Sequence, residues 1–220
     1  MSRATWERAL AAAYTVGLVA WAATYFARFG SAIFLWYCCA ANVLVGLGLV
    51  AGSRLLVSMA AVSVLPVQLA YTVDALVRLA SGHGLFAATE SLFDPARPTW
   101  LRLMTAHHAV TAAVALFVLR RWGYDARALA RQTALASVLL VGGYLLADPA
   151  EDSDDRVAPR IAGRAFDPDY DVNWSHGLGG RPEPGPLPFG LFVMLLGYPL
   201  AVHLPTHLAL TRLFRRPAPR

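Results

Sequence analysis

Of 220 residues, 57% are hydrophobic and 15% charged, against about 25% charged in an ordinary soluble domain. That composition excludes a domain with a water-facing surface all round, and the length leaves room for one domain or at most two. The net charge of +5 comes from 19 arginines and no lysine; they fall between apolar stretches as topology signals do, and no basic stripe with interleaved aromatics marks a nucleic-acid partner.

A spanning helix needs roughly 20 mainly apolar residues to cross a hydrocarbon core of about 30 Å. Six windows meet or approach this, at about 9–27, 31–51, 55–77, 99–119, 132–148 and 188–211. Lipid offers the backbone no hydrogen-bond partner, and continuous apolarity without strict alternation selects helices over barrel strands. The expected fold is therefore all-α, a polytopic membrane helical bundle of about six transmembrane helices forming a single membrane domain over residues 1–220. Arg3 and Arg8 ahead of the first window resemble the basic region of a secretory signal. The length of the apolar run and the spans that follow favour a retained first helix.

Arg54 lies between windows two and three, Arg120, Arg121, Arg127 and Arg131 between four and five, and Arg212, Arg215, Arg216 and Arg220 after six. With Arg3 and Arg8 they fall on one side, so the positive-inside rule places both termini in the cytoplasm of a multi-pass cell-membrane protein. The other side holds Arg28, the 78–98 loop and a long acidic, Pro- and Gly-rich segment, 149–187. Its Asp and Glu residues lack the order of a calcium loop, and Gly177, Gly179 and Gly180 sit in it without the strand and helix of a nucleotide site. Leu85, Phe86, Leu92 and Phe93 have helix-compatible spacing for a segment lying along the interface.

Polar groups inside spans are expensive, so their depth is informative. Cys38 and Cys39 lie some eight residues into window two, with Asn42 a turn further. His107 and His108 lie at the same count in window four, with Thr111 a turn below. Both pairs thus sit about 12 Å below the outer ends and can share a layer. Gln68, Tyr71 and Thr72 in window three fall in the same half, while Asp74 and Arg78 are i,i+4 neighbours expected to pair. The adjacent cysteines cannot build a secreted-type disulfide framework. An imidazole beside a thiol can take its proton and create a nucleophile for an acyl carbonyl; equally, cysteine is a small, ordinarily buried residue that packs helices. His203 and His207 form an i,i+4 pair. A haem shared by His107 and His203 would need the two at one depth, and they differ by roughly 10 Å, so polar packing is the reading for the lower pair. No metal or cofactor is expected.

The Cys38-Cys39-Ala40-Ala41-Asn42 segment, the Pro98-Thr99-Trp100-Leu101 entry followed by His107-His108, and Asn173-Trp174 leading through Pro182, Pro184 and Pro188 together resemble the YwaF-type bacterial integral membrane proteins. That group is similar to the androgen-induced and androgen-dependent TFPI-regulating membrane hydrolases and to a transmembrane acyltransferase. The resemblance covers roughly residues 31–205. It implies a six-helix fold with a nucleophile on helix two and a histidine on helix four, acting on fatty-acyl esters or phospholipids. Carried over, Cys38 or Cys39 is the nucleophile and His107 or His108 the base; the depth of Asn42, Gln68 and Tyr71 adds these as groups to polarise the carbonyl of a membrane lipid entering from the outer leaflet. This chain doubles both the cysteine and the histidine, which leaves the assignment within each pair open. A non-enzymatic binding or accessory protein, and a small transporter, are the alternatives; the nearly pure Ala, Val and Leu of the inner halves of helices two to four argue against a transport path.

Overall fold

The computed structural model describes residues 3–85, 89–95, 97–146, 160–161, 164–165 and 189–214. In chain order it contains α1 (Arg3–Phe29), a 3-10 turn (Ser31–Leu35), α2 (Tyr37–Val50), α3 (Arg54–Ser81), the short α4 (Glu90–Phe93), α5 (Thr99–Met104), α6 (His107–Trp122) and α7 (Ala128–Leu146). A two-residue antiparallel ladder follows, Arg160–Ile161 against Arg164–Ala165, and then α8 (Phe189–Tyr198), a π-helical turn (Pro199–His203) and α9 (Leu204–Leu213). The architecture is an all-helical membrane bundle. Five stretches are long and apolar enough to cross a bilayer: Thr5–Ala27, Arg54–Ser81, Thr99–Trp122, Ala128–Leu145 and Phe189–Leu213. The sixth apolar helix, Tyr37–Val50, is shorter. At 14 residues it reaches about 21 Å, and the 3-10 turn before it adds about 10 Å.

The outward faces are apolar, as lipid contact requires: Val16 is 71% exposed and Leu145 70%. The centre is α3, which packs against α2, α6, α7 and α9. Its approach to α2 is close because Gly48 has no side chain; a Cβ there would lie 2.7 Å from Val57 Cγ2 and 3.2 Å from the Val57 backbone nitrogen. Small residues at such crossings are how membrane helices gain packing without a hydrophobic drive. Within α3, Pro66 cannot donate to the carbonyl four residues back, and in that disturbed turn the carbonyl of Ser63 accepts a hydrogen bond from the Tyr198 hydroxyl on α8, at 3.0 Å.

One end of the bundle collects the arginine-bearing connections. Trp122 at the end of α6 donates to Glu7 on α1 at 2.9 Å, and Arg121 lies over the Trp6 ring. In the α6–α7 turn, Tyr124 donates its backbone N–H to Phe214 beyond α9, Asp125 donates its own to Ser58 Oγ at 3.0 Å, and Arg54 lies 3.8 Å from the Asp125 carboxylate. At the opposite end Asp74 is buried and does not pair with Arg78 as its spacing suggested. Its carboxylate accepts from the Leu85 backbone N–H and the Thr89 hydroxyl, while Arg78 lies over the Phe93 ring. Of the interfacial segment expected over 84–93, residues 86–88 lie outside the described residues, and Glu90–Phe93 forms the single turn of α4. Most of the 149–187 segment and residues 147–148 and 188 lie outside the described residues.

Three sequence windows differ in detail; the second begins as the 3-10 turn Ser31–Leu35, and α2 starts only at Tyr37. The fourth is two helices, interrupted at Thr105–Ala106, and the sixth carries the π-helical turn between Pro199 and His203. Pro205 has no N–H for the carbonyl of Ala201, and a wider turn absorbs that loss.

Candidate functional site

The 3-10 turn and the interruption at Thr105–Ala106 each restart a helix, and the two restarts meet. Cys38 and Cys39 occupy the first turn of α2; His107 and His108 open α6. Sγ of Cys38, Sγ of Cys39 and a ring nitrogen of His107 all lie within 4.8 Å of one another, with the two sulfurs 3.9 Å apart. Cys39 is 1% exposed, whereas Cys38 and His107 are half-buried. No disulfide joins the cysteines.

The orientation of His107 follows from the break before it. Its Nδ1 lies 3.0 Å from the carbonyl oxygen of Met104, one of the α5 end groups left without a helical partner. With Nδ1–H donating there, the lone pair falls on Nε2, which is enclosed and has no hydrogen-bond partner. Two aromatic rings from α1 flank the imidazole, Trp21 at 5.0 Å and Tyr25 at 5.8 Å between ring centroids. His108 stacks between His107 at 4.1 Å and Tyr71 of α3 at 4.5 Å. Tyr71 thereby reaches the layer through His108.

One turn deeper, Asn42 is buried, and its Oδ1 accepts from the Tyr14 hydroxyl and from Thr111 Oγ1, the latter at 3.0 Å. Tyr14 and Thr111 are themselves 3.2 Å apart. This network ties α1, α2 and α6 together directly beneath the thiols. Gln68 is 1% exposed, and neither end of its amide has a hydrogen-bond partner among the described residues. Its position, one turn from Tyr71 on α3, gives the layer an uncommitted donor and acceptor.

The two lower histidines have polar neighbours of their own. His203, on the π-helical turn, lies 3.1 Å from Thr133 Oγ1 through Nδ1, and His207 lies 2.8 Å from the Tyr124 hydroxyl. Neither belongs to the Cys–His group, and the helical pair makes no joint site.

Sequence reasoning placed the cysteines and histidines in one layer by counting residues from the helix ends. Tyr14, Trp21 and Tyr25 escaped it, since an aromatic in a first span carries no signal of which neighbour it faces. No family model, curated protein or solved structure matches this chain.

Proposed function

We propose that this membrane protein performs thiol-dependent acyl chemistry, hydrolysis or transfer, on a membrane lipid, as its resemblance to the YwaF-type proteins and the related hydrolases and acyltransferase implies. The observation that carries the reading is the convergence of Cys38, Cys39 and His107 within 4.8 Å. Cys38 is the better nucleophile candidate because Cys39 is sealed from any approaching carbonyl. In the first step, the Cys38 thiol gives its proton to His107, a carbon–sulfur bond forms at the acyl carbonyl, and the ester carbon–oxygen bond breaks. The leaving alcohol takes the proton back from the imidazole. Water or an acceptor hydroxyl then cleaves the thioester. Gln68 is the group best suited to polarise the carbonyl, since its buried amide N–H donors have no hydrogen-bond partner among the described residues.

In this proposal the arginine-bearing end faces the cytoplasm, as the positive-inside rule expects. The thiols then sit in the outer half of the bilayer and the acyl chain enters from the outer leaflet. Both termini are cytoplasmic.

A second reading, a non-enzymatic binding or accessory protein, is favoured by the Tyr14–Asn42–Thr111 network, which spends polar groups of three helices on holding them together. Labelling of the purified full-length protein in detergent with a fluorescent acyl-thioester lipid probe separates the two. The expected result is a covalent adduct on Cys38, lost in Cys38→Ala and strongly slowed in His107→Ala, with melting temperature followed in parallel. An adduct that survives Cys38→Ala, or none in a folded protein, sinks the acyl reading.

A further inference from the structure

Two sulfurs and an imidazole in one enclosed place also form a coordination set. We propose that Cys38, Cys39 and His107 bind one thiophilic divalent cation of the zinc class, leaving its fourth position open. The proposal does not require the acyl reading. It adds a Lewis acid to the same place if that reading holds, and stands alone if it fails.

Geometry comes first. Zinc–sulfur bonds of about 2.3 Å in a tetrahedral site put the two sulfurs about 3.8 Å apart; here they are 3.9 Å apart. The ring nitrogen lies within 4.8 Å of both sulfurs, so a shift on the order of 1 Å brings it to bonding distance around a common centre. No such motif exists in the linear sequence, where adjacent cysteines lack the usual spacing. The donors converge only because a 3-10 turn and a helix interruption start α2 and α6 at the same level.

The histidine is prepared as a metal ligand is. Its Nδ1 is held by the Met104 carbonyl at 3.0 Å, the outer contact that orients a ligating imidazole and frees Nε2. That Nε2 is enclosed and without a partner, which costs free energy unless something binds it.

Charge and softness select the ion. Binding releases two protons, one from each thiol, and the resulting pair of thiolates with a neutral imidazole balances a dication to zero. A neutral complex is the form a lipid-level interior tolerates, whereas a bare ion or bare thiolate is not. With sulfur and nitrogen donors and no carboxylate in the group, the set suits zinc and excludes magnesium and calcium. His108 is stacked between His107 and Tyr71 and lies outside the converging group. Three protein ligands with one open position is the pattern of a zinc that takes water or a substrate oxygen, whereas structural zinc is closed by four.

The test uses the reduced full-length protein in detergent. Titrated with cobalt(II), it is expected to take up one ion per chain with a thiolate-to-cobalt charge-transfer absorption, which zinc then bleaches. Cys38→Ser, Cys39→Ser and His107→Ala should each weaken binding by roughly tenfold or more, while His108→Ala and His203→Ala leave it intact. Where a variant does not fold, the unsubstituted protein still decides: zinc should slow alkylation of Cys38 and reduce it no further once one equivalent is bound. Binding without the thiolate band, binding indifferent to all three substitutions, or alkylation unaffected by zinc overturns the proposal. Zinc binding without acyl labelling supports this site and removes the acyl reading, and labelling without zinc binding does the reverse.

Discussion

Asn42 Oδ1 accepts from hydroxyls on two other helices, so substitutions around it are not equivalent. Tyr14→Phe leaves Thr111 donating to Asn42 and is expected to lower stability by about 1 kcal/mol in denaturant or thermal unfolding in detergent. Asn42→Leu removes the side-chain acceptor of both hydroxyls and leaves Tyr14 only Thr111 and its longer, 3.4 Å contact with the residue-42 backbone carbonyl, at a cost of about 1–3 kcal/mol. If Tyr14→Phe proves the more damaging, the network has been misread. At the other end, Asp125 accepts from the Arg127 guanidinium at 2.8 Å and 3.0 Å, and these bonds hold its carboxyl below the usual carboxylate range despite its burial. A carboxyl depressed in the folded state contributes stability above its unfolded value of about 3.9 and loses it as pH falls through the lower folded value. The melting temperature should therefore drop as the pH falls below about 4, and Asp125→Asn should flatten that drop while leaving neutral-pH activity unchanged. Of these residues, Asn42 and the Cys–His layer were legible from residue counts. Tyr14 was not, because a tyrosine in an apolar run reads as membrane, and its hydrogen bond spans two helices that the sequence separates.

Gly48 shows how helix contacts are set. A Cβ there would meet Val57 on α3 at 2.7 Å, whereas one at Gly17 would meet nothing within 4 Å. Gly48→Ala is expected to destabilise by about 1–3 kcal/mol through overpacking. Gly17→Ala should be neutral or stabilising by about 0.5–1 kcal/mol, since alanine loses less backbone entropy in a helix. Equal melting temperatures for the two variants would contradict the close α2–α3 crossing. The five long spans were readable from apolar length, whereas α2, at 14 residues, is shorter than its window. The interruptions were not: nothing in Thr105–Ala106 demands a break by composition, and it is the α5 carbonyl taken by His107 that gives the break its partner. The proline-flanked π-helical turn is a milder case, since Pro199 and Pro205 announce a disturbance without saying which kind.

At the scale of the whole molecule, the connections bearing Arg54, Arg121 and Arg127 meet at one end, and the thiols lie toward the other. Single cysteines introduced at Arg54 and at Leu85, in a background lacking Cys38 and Cys39, give a direct reading of orientation. A membrane-impermeant maleimide applied to intact cells should label the Leu85 site and spare the Arg54 site until the membrane is opened; the reverse pattern would turn the molecule over. The central position of α3 has a bearing on how the chain is made. Its Ser63 and Gln68 are buried at 0% and 1% exposure, yet α6, α7 and α9, which pack against it, leave the ribosome later. During synthesis these polar groups face lipid or the insertion machinery for as long as it takes to translate the rest. A nascent chain stopped after α3 should thus be held by membrane chaperones and degraded quickly in pulse-chase, and one extended through α7 should survive longer. Gln68→Leu in the shorter chain should lengthen its lifetime, which would locate the quality-control signal in that single amide.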